Sequence, residues 1–331
     1  MRVLIDNAIP FLRGVLEPFA EIEYLEGNAF TKERVAEADA LIVRTRTRCN
    51  STLLEGSKVQ FIATATIGYD HIDLDYCREH NIAVSTSAGC NARGVLQWVS
   101  AALVLLAKRD NFAPSERTLG IVGVGNVGSI VKEYAELWGF RTICSDPPRQ
   151  EREGLDFVSL EEVLRQADIV TLHTPLDAST HHLVDEHNIS LLRPNATLIN
   201  ASRGECLATE ATKREDITYM IDVWEHEPNI DLDLLAKSLV ATPHIAGYSA
   251  QGKANASAMA VQSLSRHFGL ALTDWHPNEV SIFEPKPISW EELCSTITDH
   301  CNLMAESLAL RNNPQSFESA RNNYHYRTEY F

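Results

Sequence analysis

Thr118-Leu119-Gly120-Ile121-Val122 runs directly into Gly123-Val124-Gly125-Asn126-Val127-Gly128, and an amphipathic stretch to Trp138 follows. An apolar strand, a G-x-G-x-x-G turn and a helix in that order form a dinucleotide-binding fingerprint, whereas the glycine spacing alone is a weak signal. Gly123 permits the tight turn, Gly125 lets backbone approach a pyrophosphate, and Gly128 lets the helix pack close to its strand. The helix start at Asn126 and Val127 offers unpaired amides and a partial positive charge to phosphates. Eighteen residues past Gly128, at the end of the next predicted strand (141–145), stands Asp146. Its carboxylate would accept hydrogen bonds from the adenosine ribose and repel a 2′-phosphate, favouring NAD over NADP, while Arg149 nearby argues the other way. The competing reading is a glycine turn in an α/β domain that binds no nucleotide.

Outward from this point, strand-like and helix-like runs alternate. On the N-terminal side, Val3–Ile5, Ala40–Val43, Phe61–Thr64 and Ile82–Ser85 read as strands, with amphipathic stretches at Phe11–Phe19, Ser51–Leu54 and Ile72–Glu79. On the C-terminal side a helix at Leu160–Gln166 accompanies strands at Ile169–His173, Thr197–Asn200, Tyr219–Val223 and Ser238–Ala241. This alternation predicts an α/β fold of two doubly wound, Rossmann-like parallel sheets. Helices at Val95–Ala107 and Ala250–Phe268 are the expected crossovers between them. Pro277, Pro285 and Pro287 mark a linker, a helix is expected over Trp290–Leu310, and the end is aromatic-rich. The expected division is 1–93 with 247–272, 94–246, and a small C-terminal α+β dimerisation unit over 273–331.

Composition narrows the function class. With 331 residues, two or three domains are expected. The 29 Lys and Arg against 45 Asp and Glu leave a formal charge of −16, a field that repels nucleic acid and anionic lipid. Neither nucleic acid nor membrane is an expected partner, and an anionic substrate needs a local basic cluster. Seven irregularly spaced cysteines form no disulfide framework and point to a reducing compartment, the cytoplasm by default. No apolar run reaches the length of a spanning helix, and no signal region opens the chain. His181, His182 and His187 cluster without an acidic or cysteine partner at ligand spacing, so they read as surface residues and no metal is expected. Cys294 and Cys301 share a helix face and read as core; Cys90 is open to either a buried or a reactive reading.

Three loops follow predicted strands of the nucleotide unit: Asn200 to Gly204, Asp222 to Pro228 and Thr242 to Tyr248. Ligands bind at the carboxyl ends of such strands. Together the loops offer a guanidinium, a carboxylate and an imidazole, which is what oxidising an alcohol beside a carboxylate requires. The guanidinium clamps the carboxylate, the imidazole takes the hydroxyl proton, and the protein's own carboxylate fixes the tautomer. His173 ends a predicted strand and either borders the adenine side of the cofactor or is a structural turn. If Arg44, Arg46 and Arg48 stay extended they project to one face and could hold a phosphate, with Arg44 the best placed; a solvated edge is the alternative.

These motifs resemble the NAD-dependent D-2-hydroxyacid dehydrogenases over most of residues 1–269. The likeness rests on Gly89-Cys90-Asn91-Ala92, the run Gly120 to Gly128 with Cys144-Ser145-Asp146-Pro147-Pro148, Asp222-Val223-Trp224-Glu225-His226-Glu227-Pro228, and His244-Ile245-Ala246-Gly247-Tyr248. The resemblance implies a catalytic trio of Arg203, Glu227 and His244, with His244 as acid and base. It places Asp146, Thr174, Ala201, Ser202, Arg203, Asp222 and Gly247 against NAD, and Thr45, Thr66 and Tyr248 against substrate. Its narrower form implies a small phosphorylated 2-hydroxy acid as substrate, a place in pyridoxine biosynthesis, and a homodimer built by the C-terminal segment. In that family such a segment, here carrying Arg321, Tyr324 and Arg327, can reach the partner's active site; no catalytic role is assigned to these three. Against the family pattern the chain is short at 177–182, in the C-terminal unit, and between Arg203 and Asp222, where the usual helix is barely recognisable in Glu205–Asp216. Two other functions fit the same motifs: a D-2-hydroxyacid or D-3-phosphoglycerate dehydrogenase of different specificity, and an NAD-sensing binding protein.

Overall fold

Short runs of Val, Ile, Leu and Ala form the N-terminal sheet: β1 (Arg2–Asp6), β2 (Glu21–Leu25), β3 (Ala40–Val43), β4 (Phe61–Thr64) and β5 (Ala83–Thr86). In the computed structural model, which describes residues 1–154 and 156–331, all are parallel in the order β2-β1-β3-β4-β5. Every residue of β3 and β4 is buried, as expected of parallel strands covered on both faces. The stretch 11–19 is a series of turns rather than a helix. Leu12 and Leu16 are buried at helical spacing, but Phe11 at φ 67° and Gly14 at φ 82° interrupt any helical path, and Pro10 and Pro18 flank it. The helix Ala250–Phe268 covers this sheet with Ala260, Val261 and Leu264.

The second sheet contains β6 (Thr118–Val122), β7 (Arg141–Ser145), β8 (Ile169–Leu172), β9 (Thr197–Asn200), β10 (Thr218–Ile221) and β11 (Val240–Ala241). Its order is β11-β10-β9-β8-β6-β7, again all parallel. The order reverses between β6 and β8, the switch point at which such sheets hold their ligands. Alternating side chains serve two cores: Leu119, Ile121, Ile169, Ile199 and Met220 face one, and Val170, Leu172, Leu198, Tyr219 and Ile221 the other. The helix Ala92–Asp110 fills the first core, and its Trp98 is fully buried.

The chain divides into two units, Met1–Asn91 with Ser249–Phe283 and Ala92–Tyr248 with Glu284–Phe331. Residues 284–331 fall within the second unit, and a separate α+β unit is not how they are arranged. Their regular elements are all helical, Trp290–His300, Leu303–Asn312 and Phe317–Asn322. The single helix expected over 290–310 breaks at Asn302, whose side chain caps the next helix by accepting from the Ala305 amide. Ile288, Leu293, Ile297 and Phe331 join the Trp98 core, Leu310 and Phe317 join the other, and Trp138 Nε1 donates to the Ile288 carbonyl at 3.0 Å. Among the described residues no helix is long and apolar enough to cross a membrane.

Phe317 is 1% exposed. Phe317→Ala should therefore cost about 3–5 kcal/mol in urea unfolding, as deletion of a buried aromatic does; a loss well under 1 kcal/mol would show that the C-terminal segment is not part of this core.

Candidate active site

β9, β10 and β11 are neighbours in one parallel sheet, so the loops that leave their carboxyl ends rise side by side. After β9, buried Asn200 organises its own loop. Its Oδ1 accepts from the Ser202 amide and hydroxyl at 3.1 and 2.9 Å, and its Nδ2 donates to the Arg203 carbonyl at 2.9 Å. Arg203 emerges half-buried with Nη1 on the Ser202 carbonyl at 2.8 Å. A Cβ on Gly204 would lie 2.0 Å from the backbone of Trp224. Only glycine lets the Arg203 loop rest directly on the loop that follows β10.

That second loop carries Glu227. Its Oε1 accepts from the Trp224 amide at 3.0 Å, and the Trp224 indole donates to the Thr242 carbonyl at 2.9 Å, tying the loop to the one after β11. His244 on the third loop adopts φ 57°, a left-handed conformation that costs a non-glycine residue roughly 1–2 kcal/mol. Asp222 offsets this cost. Its carboxylate, 1% exposed, accepts from Thr242 Oγ1 at 2.6 Å and from the amides of Ile245 and Ala246 at 2.8 and 2.9 Å. Burial raises Asp222 above the usual carboxylate range, opposed by His244 and these hydrogen bonds. Behind the same loop, Arg327 donates to the Ala246 carbonyl at 2.6 Å.

The loops bring imidazole and carboxylate together: His244 Nδ1 lies 2.8 Å from Glu227 Oε2. Burial pushes Glu227 upward, yet His244, its hydrogen bond, the Trp224 amide and Arg321 outweigh it and hold the carboxyl below its ordinary range. Glu227 is thus an anion at neutral pH, and an anion beside Nδ1 favours the tautomer that carries its proton there and leaves Nε2 bare.

At the switch point, Gly123 takes φ 83°, and a Cβ there would meet the His173 carbonyl at 2.8 Å. By contrast, among the described residues nothing lies within 4 Å of a Cβ on Gly125, which is exposed and precedes a helix, Asn126–Trp138, that has no side-chain cap. Asn126 is exposed beside it and Val127 half-buried. Open space before uncapped amides fits a pyrophosphate. Asp146 caps the helix Pro147–Glu153 and also accepts from the Val124 amide at 2.7 Å, so it stands against the glycine turn. Arg149 donates to both oxygens of Glu153, at 2.6 Å to one and 2.9 Å to the other, so its charge is already paired. Burial pushes the His173 imidazole down to about 3, leaving it neutral, and its Nε2 meets Thr171 Oγ1 at 3.0 Å. The Thr174 hydroxyl rests on Cys206 Sγ at 3.4 Å. Ala201, Ser202 and Gly247 follow β9 and β11 on the same edge; the Ser202 hydroxyl is turned inward to Asn200.

In the first unit, Thr66 follows β4 and is bonded to Thr64 at 2.6 Å and to the Gly68 carbonyl at 3.0 Å. The arginine run does not stay extended. β3 ends at Val43, the Thr47 amide closes a turn on the Arg44 carbonyl at 3.1 Å, and side-chain alternation ends with the strand. Arg44 is half-buried, whereas Thr45, Arg46 and Arg48 are exposed. One further feature escaped the sequence, and one that it flagged is seen. His182 has an acidic partner, Glu225 Oε1 at 2.6 Å, 43 residues away, and the Glu205–Asp216 stretch holds only 3-10 turns. Asn200, Trp224 and Thr242 lie in the loops and motifs that the sequence singles out, but their part in ordering the loops rests on contacts it does not show.

This arrangement defines an NAD-dependent dehydrogenase, and similarity to known proteins agrees. Residues 97–246 match the family described as D-isomer specific 2-hydroxyacid dehydrogenase, NAD binding domain. The chain is 45% identical over 346 aligned positions to an erythronate-4-phosphate dehydrogenase of Bacteroides fragilis, covering 99% of this chain and 97% of that one. It is 43% identical over 344 positions to the enzyme of that name from Bacteroides thetaiotaomicron, with the same coverage. Among solved structures, the TT0316 protein of Thermus thermophilus superposes with a TM-score of 0.66 at 28% identity, over 82% of this chain and 98% of that one. The NAD-bound 3-phosphoglycerate dehydrogenase of Entamoeba histolytica shares the fold, with a TM-score of 0.68 at 24% identity over 87% and 99% of the two chains. The chain belongs to the erythronate-4-phosphate dehydrogenase family of D-2-hydroxyacid dehydrogenases.

Asp222→Asn replaces one acceptor oxygen by a donor that would face the Ala246 or Ile245 amide. A loss of about 1–3 kcal/mol in stability is expected, with turnover reduced more than NAD affinity, because the His244 loop is released. Unchanged unfolding and turnover would remove Asp222 as the latch.

Proposed function

We propose that the protein oxidises the C2 hydroxyl of 4-phospho-D-erythronate to the ketone of 2-oxo-3-hydroxy-4-phosphobutanoate, a step of pyridoxine biosynthesis. The observation that carries this reading is the 2.8 Å contact between His244 Nδ1 and Glu227 Oε2 beside the Arg203 loop. NAD, when bound at the glycine turn, supplies the acceptor for the hydride that leaves C2. Arg203 pairs with the substrate carboxylate and draws electron density from the C2 oxygen as it becomes a carbonyl. His244 Nε2 takes the hydroxyl proton, and Glu227 holds the Nδ1 proton and stabilises the imidazolium. Asp146, His173, Thr174, Ala201, Ser202, Asp222 and Gly247 line the NAD side in this reading, with Gly123, Gly125, Asn126, Val127 and Gly128 at the pyrophosphate. Arg44, Thr45, Thr66 and Tyr248 hold the substrate, Arg44 taking the phosphate; it is half-buried and its guanidinium has no hydrogen-bond or ion-pair partner among the described residues.

We take the enzyme to be a cytoplasmic homodimer. Among the described residues its seven cysteines form no disulfide, and Met304 and Leu308, one turn apart on a C-terminal helix, are 45% and 59% exposed.

His244→Ala should abolish turnover while NAD binding, read by NADH fluorescence, stays near wild type; near-normal turnover would take His244 out of the mechanism. In side-by-side assays 4-phosphoerythronate should exceed 3-phosphoglycerate and lactate in kcat/KM by at least ~10²-fold, a margin that recognition of charged groups can supply. Equal values would leave a dehydrogenase of other specificity. In Glu227→Gln the imidazolium loses its counter-charge, so reduction of the 2-oxo acid, which needs that proton, should fail at lower pH than in wild type. An unmoved profile would show that Glu227 does not support the imidazolium.

A further inference from the structure

Glu227 has a third partner. Arg321 Nη1 lies 3.4 Å from the same Oε2 that receives His244 Nδ1, and Arg321 Nε donates to Tyr248 Oη at 3.2 Å. The carboxylate is therefore held at three points: the Trp224 amide on Oε1, and an imidazole and a guanidinium on Oε2. Asp222 completes the set of ionisable groups that act on Arg321, with Tyr248 and Glu227. Arg321 comes from the C-terminal helix Phe317–Asn322, which Phe317 anchors, so the guanidinium reaches the pair from a segment 94 residues away in sequence.

We propose that Arg321 is a positioning residue for the acid–base pair, fixing the Glu227 carboxylate against Tyr248 and drawing off part of its charge so that the imidazole releases its proton readily. This rests on the reading of His244 and Glu227 as that pair. The physical reason is that a guanidinium is charged throughout the cycle, whereas the imidazole is charged only after it has taken the substrate proton. Two cations on one carboxylate oxygen share its stabilisation, and the permanent one limits what the transient one can gain. Without Arg321 the whole carboxylate charge would serve the imidazolium, which would then hold its proton to higher pH, and oxidation needs the unprotonated ring.

The test is the pH profile of kcat/KM for oxidation in Arg321→Met, Arg321→Gln and Arg321→Lys, with His244→Ala measured alongside. In the Met and Gln variants the rising limb should move up by ~0.5–1 pH unit, the size of effect a nearby charge exerts, with KM for NAD unchanged. The Lys variant, which keeps the charge, should bring the limb back toward wild type. Since Phe317 rather than Arg321 buries the helix, all three should melt near wild type, and Gln serves if Met does not fold. A limb that stays in place with a uniform loss at every pH, or one that moves down, overturns the proposal. His244→Ala separates the two readings: a dead variant beside an unshifted Arg321→Met profile sinks the Arg321 role alone, whereas an active one sinks the pair itself.

Discussion

A single hydrogen bond, from the imidazole of His244 to the carboxylate of Glu227, is the contact that the surrounding loops are arranged to preserve. Its two partners sit on different loops, and neither loop is regular. The geometry survives because each is fastened from behind. Trp224 spans both, Asp222 gathers the hydroxyl and two amides of the His244 loop onto β10, and Arg327 holds the far side of the Ala246 peptide. The left-handed backbone at His244 is affordable only inside this net, and the net is built almost wholly of charged or amide groups withdrawn from water, where hydrogen bonds are strong and unmade ones expensive.

The parallel sheet puts the glycine turn and the His244 and Glu227 loops at one edge. All strands point the same way, so the glycine turn after β6 and the loops after β8 to β11 share one edge. The turn has to be tight because the His173 backbone passes immediately beside Gly123. Glycine turn and imidazole are thus positioned by the same secondary structure, while the C-terminal segment, whose helices join both cores of the unit, brings Arg321 and Arg327 to the loops from outside the sheet.

What could be read in the sequence was what is locally encoded. The helix Leu160–Gln166 has a capping box between Ser159 and Glu162, and Ala250–Phe268 has Ser249 before it and Gly269 after it, so both appear with the expected limits. The glycine turn and Asp146 are similarly local. Where the sequence misled, a distant contact or a backbone break decided. Leu12 and Leu16 have helical spacing, yet positive φ at Phe11 and Gly14 leaves them on turns. Arg44 to Arg48 would alternate on a strand, but the strand has ended. His182 meets Glu225, and Arg321 meets Glu227, across intervals for which no periodicity exists. Docking of residues 284–331 on the nucleotide unit was hidden for the same reason: an apolar helix face shows that something covers it, not what.

The central claim is that Glu227 fixes which nitrogen of His244 carries the proton at rest. Nitrogen-15 chemical shifts of the His244 ring, assigned by comparison with His244→Ala and recorded at a pH where the ring is neutral, read this directly. The account expects a protonated Nδ1 and a bare Nε2. A proton on Nε2, or shifts that average the two tautomers, would contradict it.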